Sequence, residues 1–249
     1  MSSLERPSGA ATGVPVISVV VPVFNEQDNI APLHREVTPV LESLSRAFEI
    51  VFVDDGSTDA SPARLKELRA ADPRVRVVTL ARNAGQTAAM SAGFEAARGE
   101  VVVTLDADLQ NDPRDIPLLL ARLEGHDAAV GWRVERHDNW VRRASSAIAN
   151  RVRNALSDDD IIDTGCSLKA YRREAIAHIR LYNGMHRFLP TLLRMEGFRV
   201  CQVQVGHRPR RSGRSKYNIR NRLLPSFVDL LAVRWMKHRR LRYQATEEP

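Results

Sequence analysis

The chain is poor in several things at once. It has two cysteines, Cys166 and Cys201, in 249 residues. Two thiols without close spacing form neither a disulfide framework nor a zinc-ligand cluster, and they suit a reducing compartment. Aromatic residues make up 6% of the chain and are not interleaved with the basic ones. That argues against a base-stacking surface for nucleic acid. No apolar run approaches the roughly 18 residues of a spanning helix. The best candidate, "LLPSFVDLLAVRWM" at 223–236, is short and carries Asp229 and Arg234. No G-x-G-x-x-G follows the first apolar run, so the dinucleotide fingerprint is missing. The opening "MSSLERPSGAATGVP" lacks the charged-then-apolar build of a signal peptide. Residues 1–15 are therefore read as a disordered leader before a cytosolic chain.

What is present is ordinary in amount and uneven in placement. Apolar residues are 43% and charged residues 27%, which suits a globular α/β chain with a core large enough to need no staples. The net charge is +7, but residues 1–130 carry −7 and residues 131–249 carry +14. An acidic half joined to a basic half implies two surfaces with different partners. The basic half suits phosphorylated ligands, anionic lipid or nucleic acid.

Along the first hundred residues, apolar β-branched runs alternate with helical stretches. "VISVVVPVF" (16–24), "FEIVFVD" (48–54), "VRVVTLA" (75–81) and "EVVVTLD" (100–106) read as strands buried on both faces. Helices are expected over 28–47, within 55–73, and over 85–99 with Gly99 as a terminal cap. This alternation predicts parallel strands with right-handed crossovers. Ligands of such sheets bind at the carboxyl ends of the strands. Three polar clusters sit there: Asn25-Glu26, Asp54-Asp55-Gly56-Ser57, and the comb Asp106, Asp108, Gln110, Asp112. Further on, a helix, a strand ending at Arg133, a basic amphipathic stretch (134–157), a loop with a short strand and helix, and another helix and strand are expected. The basic loop "RRSGRSKYNIRNR" and an amphipathic helix (223–244) follow.

The comb is the sharpest chemical signal. Two aspartates two apart at a strand end can share one hard cation, with Gln110 adding a carbonyl oxygen. Mg²⁺ and Mn²⁺ favour such ligands and leave room for substrate phosphates. Asp112 before Pro113 reads as a helix cap. In "VDDGSTD" (53–59), Ser57, Thr58 and Asp59 serve a turn and cap, while Asp54 and Asp55 exceed what a turn needs.

"VVVPVFNE" (19–26), "VDDGSTD" (53–59) and "DADLQ" (106–110) resemble the family 2 glycosyltransferases of GT-A fold. "GWR" (131–133), "DTGCSLKAYRRE" (163–174) and "RRSGRSK" (210–216) are similar to the polyprenyl-phosphate sugar transferases, the dolichol-phosphate mannose synthase branch. The resemblance implies an α/β, Rossmann-like GT-A domain over 16–222. Its mostly parallel sheet is flanked by helices, and a basic amphipathic helix and tail follow over 223–249. Pro22, Phe24, Glu26, Val53 and Asp55 would line the nucleoside pocket, with Asp106, Ala107 and Asp108 as the DXD motif. Phe24 stands where the family often has Tyr, so stacking survives without a hydroxyl contact. Asp106, Asp108 and Gln110 would hold Mg²⁺ or Mn²⁺. Arg210 and Lys216 would clamp the donor diphosphate. Arg133 and one of Arg142 or Arg143 with Ser145 or Ser146, with Arg143 and Ser146 preferred, would meet the acceptor phosphate. Cys166-Ser167 replaces a frequent Ser-Gly.

The implied activity is metal-dependent, inverting transfer of a hexose from a nucleotide sugar to a polyprenyl phosphate at the cytoplasmic membrane face. GDP-mannose comes first as donor and a UDP-hexose next. A metal and two cations would stabilise the leaving diphosphate. An acceptor phosphate is already ionised and needs positioning rather than a base. A hydroxyl acceptor in cell-envelope polysaccharide synthesis is the alternative, and it would need a base, with Asp163 first in line. Lys237, Arg239, Arg240 and Arg242 beside the apolar face of 223–236 point to peripheral contact with an anionic membrane surface. A haloacid-dehalogenase-type phosphohydrolase and a basic nucleic-acid-binding module are the readings of other classes. The assembly state, homo-oligomer or not, is left open.

Overall fold

The structure, a computed structural model, describes residues 16–133, 160–209 and 220–241, with side chains from 227 onward in the last of these. The leader expected over 1–15 lies outside the described residues.

Seven strands form one sheet among the described residues: β1 (Ile17–Val23), β2 (Phe48–Asp54), β3 (Val75–Thr79), β4 (Val101–Thr104), β5 (Ala128–Arg133), β6 (Lys169–Arg172) and β7 (Val200–Val205). Their order is β3-β2-β1-β4-β6-β5-β7. The β1–β2, β1–β4, β2–β3 and β5–β7 pairs are parallel. β6 runs antiparallel to both β4 and β5. The sheet is thus the mostly parallel one expected. The helices are α1 (Ile30–Ser43), α2 (Ser61–Ala71), α3 (Gln86–Ala96), α4 (Ile116–Arg122), α5 (Arg173–Ala177), α6 (Leu189–Met195) and α7 (Arg220–Arg239).

The continuous apolar runs are explained by helices on both faces. Ile17, Val19, Val21 and Val23 of β1 meet Leu33, Val37 and Leu41 of α1 and Leu65 of α2 in one buried cluster. Val20, Val51, Val53 and Val102 point the other way, onto Ala89 of α3. A third cluster joins Tyr171 of β6 to Met90, Ile176, Leu189 and Leu193. α7 packs Leu230 and Val233 onto Met185, Phe188, Leu192 and Met195.

Element ends differ from expectation in informative places. α1 stops at Ser43, and Ser45 then takes a left-handed φ of 51°. β4 stops at Thr104, so the acidic comb leaves the strand and occupies the turn. Gly99 is not the cap of α3, which already ends at Ala96. A Cβ at Gly99 would fall 2.7 Å from the Ser18 nitrogen, and the Gly99 N–H donates to Ser18 Oγ at 2.8 Å. Close approach to β1 is what requires a glycine there. Asp112 does cap the next turn, accepting the Arg114 N–H at 3.0 Å.

At the far edge of α1 and β3, Asp72 is buried and accepts two guanidinium bonds from Arg74, each 2.9 Å, while His34 Nε2 lies 3.0 Å away. Burial pushes the Asp72 carboxyl up, but the Arg74 and His34 contacts more than reverse this and bring it down from 3.8 to about 2. A carboxyl depressed in the folded state stabilises fully above its unfolded value, and the contribution is lost as pH falls through the folded value. The stability gap between wild type and Asp72→Asn is expected to be roughly 2 kcal/mol at pH 6. It should shrink between pH 4 and 2 in urea melts; a gap that does not change with pH would remove this assignment.

Candidate active site

The carboxyl ends of β1, β2 and β4 lie side by side because these strands are parallel neighbours. Two of their loops are stitched together. Asn25, at a left-handed φ of 53°, accepts the Thr58 N–H at 2.7 Å and donates its own N–H to Ser57 Oγ at 2.9 Å. The Glu26 N–H donates to Ser61 Oγ at 2.9 Å, and the Ala60 N–H to Gln27 Oε1 at 2.8 Å. Pro22, Phe24 and Glu26 are half-buried along this edge. Val53 is fully buried in the sheet–α3 cluster, so its side chain belongs to the core rather than to an open surface.

Both aspartates of the second loop have structural work. Asp54 Oδ1 accepts the Ser57 N–H at 3.0 Å. Asp55 is buried, and its carboxylate accepts the N–H groups of Ala84 (2.7 Å) and Gly85 (2.9 Å) and the Asn83 amide (3.1 Å). Gly56 allows this contact. Its φ is 66°, and a Cβ there would lie 2.6 Å from the Arg82–Asn83 backbone. The captured segment opens α3, and the next residue, Gln86, donates from Nε2 to Asp106 Oδ1 at 2.9 Å. The β2 loop is thereby connected to the acidic comb.

Within the comb, Ala107, Asp108 and Leu109 are buried and Asp106 and Gln110 half-buried. The Gln110 N–H donates to Asp108 Oδ1 at 3.2 Å. Leu109 holds the turn at a φ of 62°, unusual for a branched side chain. Burial, then the negative charge of Asp108, push Asp106 up from 3.8 to about 6, although Ser167, Lys169 and Arg133 pull it down. Two carboxylates held close enough to oppose each other's ionisation form the donor set that a divalent cation suits. Among the described residues no cluster of three His, Cys, Asp or Glu side chains accompanies them. Asp106, Asp108 and the side-chain carbonyl of Gln110 are the oxygen donors that this loop offers.

Two cations, Arg133 and Lys169, stand near the acids, close enough to draw the Asp106 pKa down. The Arg133 guanidinium forks onto Asp163, with bonds of 2.7 and 3.0 Å, and Asp163 also accepts the Gly165 N–H at 3.0 Å. Lys169 pairs across the sheet with Thr104, at the strand end that leads into Asp106. It is buried, and desolvation lowers its pKa against the opposing influence of Cys166, Asp163 and Asp106. Sequence reasoning missed Lys169. The available signal was a lysine in an otherwise apolar alternation, "CSLKAY". Asp163, the base expected for a hydroxyl acceptor, has both carboxylate oxygens committed to Arg133. Arg143 and Ser146, with their alternatives Arg142 and Ser145, and Arg210 and Lys216 lie outside the described residues.

Arg208 was also missed. Its N–H donates to the Gln110 carbonyl at 2.8 Å. Its guanidinium bridges Glu36 of α1 and Asp112, the latter at 2.6 Å. Asn111 and His207 form an isolated bridge, and the Gly206 N–H donates to Asp115 at 2.7 Å. The chain leaving β7 is thus fastened to the acidic comb just before the basic loop.

This edge, with an acidic pair near Arg133 and Lys169 beside a stitched double loop on a mostly parallel sheet, is that of a GT-A glycosyltransferase. Glucosyl-3-phosphoglycerate synthase from Mycobacterium tuberculosis, solved with Mn²⁺, uridine diphosphate and glucosyl-3-phosphoglycerate, shares the fold. Its TM-score is 0.66 at 21% identity, over 94% of this chain and 86% of that one. The family model for glycosyl transferase family 2 matches residues 18–180, and the chain belongs to that family. A dodecaprenyl-phosphate galacturonate synthase from Rhizobium johnstonii is 39% identical over 92% of this chain and 68% of its own length. An undecaprenyl-phosphate 4-deoxy-4-formamido-L-arabinose transferase from Aeromonas hydrophila is 38% identical over 84% of this chain and 64% of its own length. These relatives place the chain in the polyprenyl-phosphate sugar transferase branch, and it spans about two-thirds of their lengths.

Replacing Arg208 by Met is expected to lower unfolding stability by about 1–3 kcal/mol, because Asp112 and Glu36 lose a shared partly buried partner. Arg208→Lys should recover less than half of that, since an ammonium cannot fork between two carboxylates. Equal stability of the Met and Lys variants with wild type, in chemical denaturation, would show that the contact contributes nothing.

Proposed function

We propose that the chain transfers one hexose, with inversion, from a nucleoside diphosphate sugar to a polyprenyl phosphate, working peripherally at the cytoplasmic face of the membrane. The observation that carries this reading is the acidic pair Asp106–Asp108 near half-buried Arg133 and buried Lys169 at one sheet edge. One side suits a diphosphate bound through a cation, and the other suits a second anion approaching it. The names of the two curated relatives, both transferring sugars to long-chain prenyl phosphates, support the choice of acceptor.

Pro22, Phe24, Glu26 and Asp55, with Val53 behind them in the core, would form the nucleoside end. Asp55 would act through the loop it holds, with Ala107 giving backbone room beside the diphosphate. Asp106, Asp108 and Gln110 would hold Mg²⁺ or Mn²⁺, which supplies neutralisation of the leaving diphosphate. Arg210 and Lys216 would grip the same diphosphate directly, and Arg143 and Ser146 would join Arg133 at the acceptor phosphate.

The acceptor phosphate oxygen attacks the anomeric carbon as the bond from that carbon to the diphosphate oxygen breaks. The nucleoside diphosphate departs from the opposite face. An ionised phosphate brings its own nucleophilic oxygen, so orientation by Arg133 and Lys169 matters more than proton removal. The commitment of Asp163 to Arg133 disfavours the hydroxyl-acceptor reading, which needs a free base there.

The test is mass-detected transfer to undecaprenyl phosphate from GDP-mannose, UDP-glucose and related UDP-hexoses, with Mg²⁺ or Mn²⁺. Asp108→Ala is expected to reduce transfer by at least about a thousandfold, the scale of losing a group that stabilises transition-state charge. Undiminished transfer in that variant, or in EDTA, would overturn the metal assignment.

A further inference from the structure

The second half of the acidic loop is held from outside. The Gln110 carbonyl accepts the Arg208 N–H at 2.8 Å. The Gln110 N–H in turn donates to Asp108 Oδ1 at 3.2 Å, so the two donors move together. Asn111 is buried. Its Oδ1 accepts the Ser167 hydroxyl at 2.7 Å, and its backbone makes the bridge to His207. Asp112 takes the Arg208 guanidinium and that of Arg114, each at 2.6 Å. Residues 110–112 are therefore pinned by segments more than fifty positions away in the chain.

Arg208 differs from the other contacts because it reaches a third element. Its guanidinium also pairs with Glu36, midway along α1. The side chains of Arg208, Glu36 and Asp112 are 22%, 26% and 14% exposed, so solvent screens this bridge less than it would a surface pair. α1 is itself packed under β1. The bridge thus fastens the acidic loop to the rigid body of the domain. Gln110 needs this more than the aspartates do. A neutral amide attracts a cation less than a carboxylate does, so its value as a ligand depends on being in place beforehand.

We infer that Arg208 is a positioning residue for the cation site. By bridging Glu36 and Asp112 it docks the chain leaving β7 onto the acidic loop, and so holds Gln110 where a divalent ion would meet it. The inference rests on the reading that Asp106, Asp108 and Gln110 take a divalent cation. Charge and position predict opposite outcomes here. A guanidinium beside an acidic loop repels an incoming cation, so as a charge alone Arg208 would weaken metal binding and its removal would tighten it. As a stability contact alone it would leave the affinity of the folded chain unchanged. A positioning role makes its removal weaken binding.

The test is a titration of the full chain with Mn²⁺, the bound ion being read by electron paramagnetic resonance below the melting temperature of each variant. Asp108→Ala defines which binding belongs to the site. Arg208→Met should bind Mn²⁺ about tenfold more weakly than wild type, the scale of losing a contact behind a metal ligand. Arg208→Lys should fall between the two, since an ammonium cannot fork between both carboxylates. Glu36→Ala leaves the Arg208–Asp112 contact in place and should give a smaller loss in the same direction, which decides the matter if the Met variant does not fold. In a Gln110→Ala background, Arg208→Met should cost little more, because the residue it acts through is gone. Equal or tighter Mn²⁺ binding by Arg208→Met would overturn the proposal, as would losses from Arg208→Met and Gln110→Ala that simply add. Both results leave the metal reading standing, since wild type still binds through Asp108. A wild type with no Asp108-dependent Mn²⁺ binding would remove the metal reading and this proposal with it.

Discussion

The Asp55 carboxylate is the contact on which the site's geometry depends. It receives three N–H groups from Asn83–Gly85 and so fixes where α3 begins. Because α3 begins there, Gln86 reaches Asp106 and Thr87 reaches the 184–186 segment. One buried, charge-assisted cluster thus positions a helix, an acidic loop and the support of α7. A carboxylate saturated by N–H donors in this way gains more than neutral acceptors would and tolerates little displacement.

The antiparallel strand β6 does something the parallel ones cannot. Its first residue, rather than its last, lies at the ligand edge, so Lys169 stands beside the end of β4. Helix-connected parallel strands deliver acids to this edge from the first half of the chain. β5 and the reversed β6 deliver Arg133 and Lys169 from the second. At that edge acids of the first half meet Arg133 and Lys169 of the second.

The first four strands, their direction and the edge where their polar turns gather were readable because their signals are local. Each is a β-branched run followed by a polar turn. Asp106, Asp108 and Gln110 were visible for the same reason. What was not readable depends on partners distant in sequence. Nothing near Asp55 reveals that Ala84 and Gly85 will claim its carboxylate. Nothing near Arg208 names Glu36, and nothing in the neighbourhood of Gly99 names Ser18 as the atom it must approach. Lys169 was hidden by the direction of its strand, since only the reversal of β6 brings a residue at the start of a strand to the ligand edge.

Leu109 has a further meaning. Its left-handed backbone is costly for a branched residue, and its side chain is buried in the main core. Core packing therefore offsets the strain of the turn, and the acidic loop has its shape before any ligand arrives. A binder that need not be ordered on binding keeps more of its gross interaction energy as affinity. The same arrangement means that softening the core beneath Leu109 would loosen the acidic loop without touching either of its carboxylates.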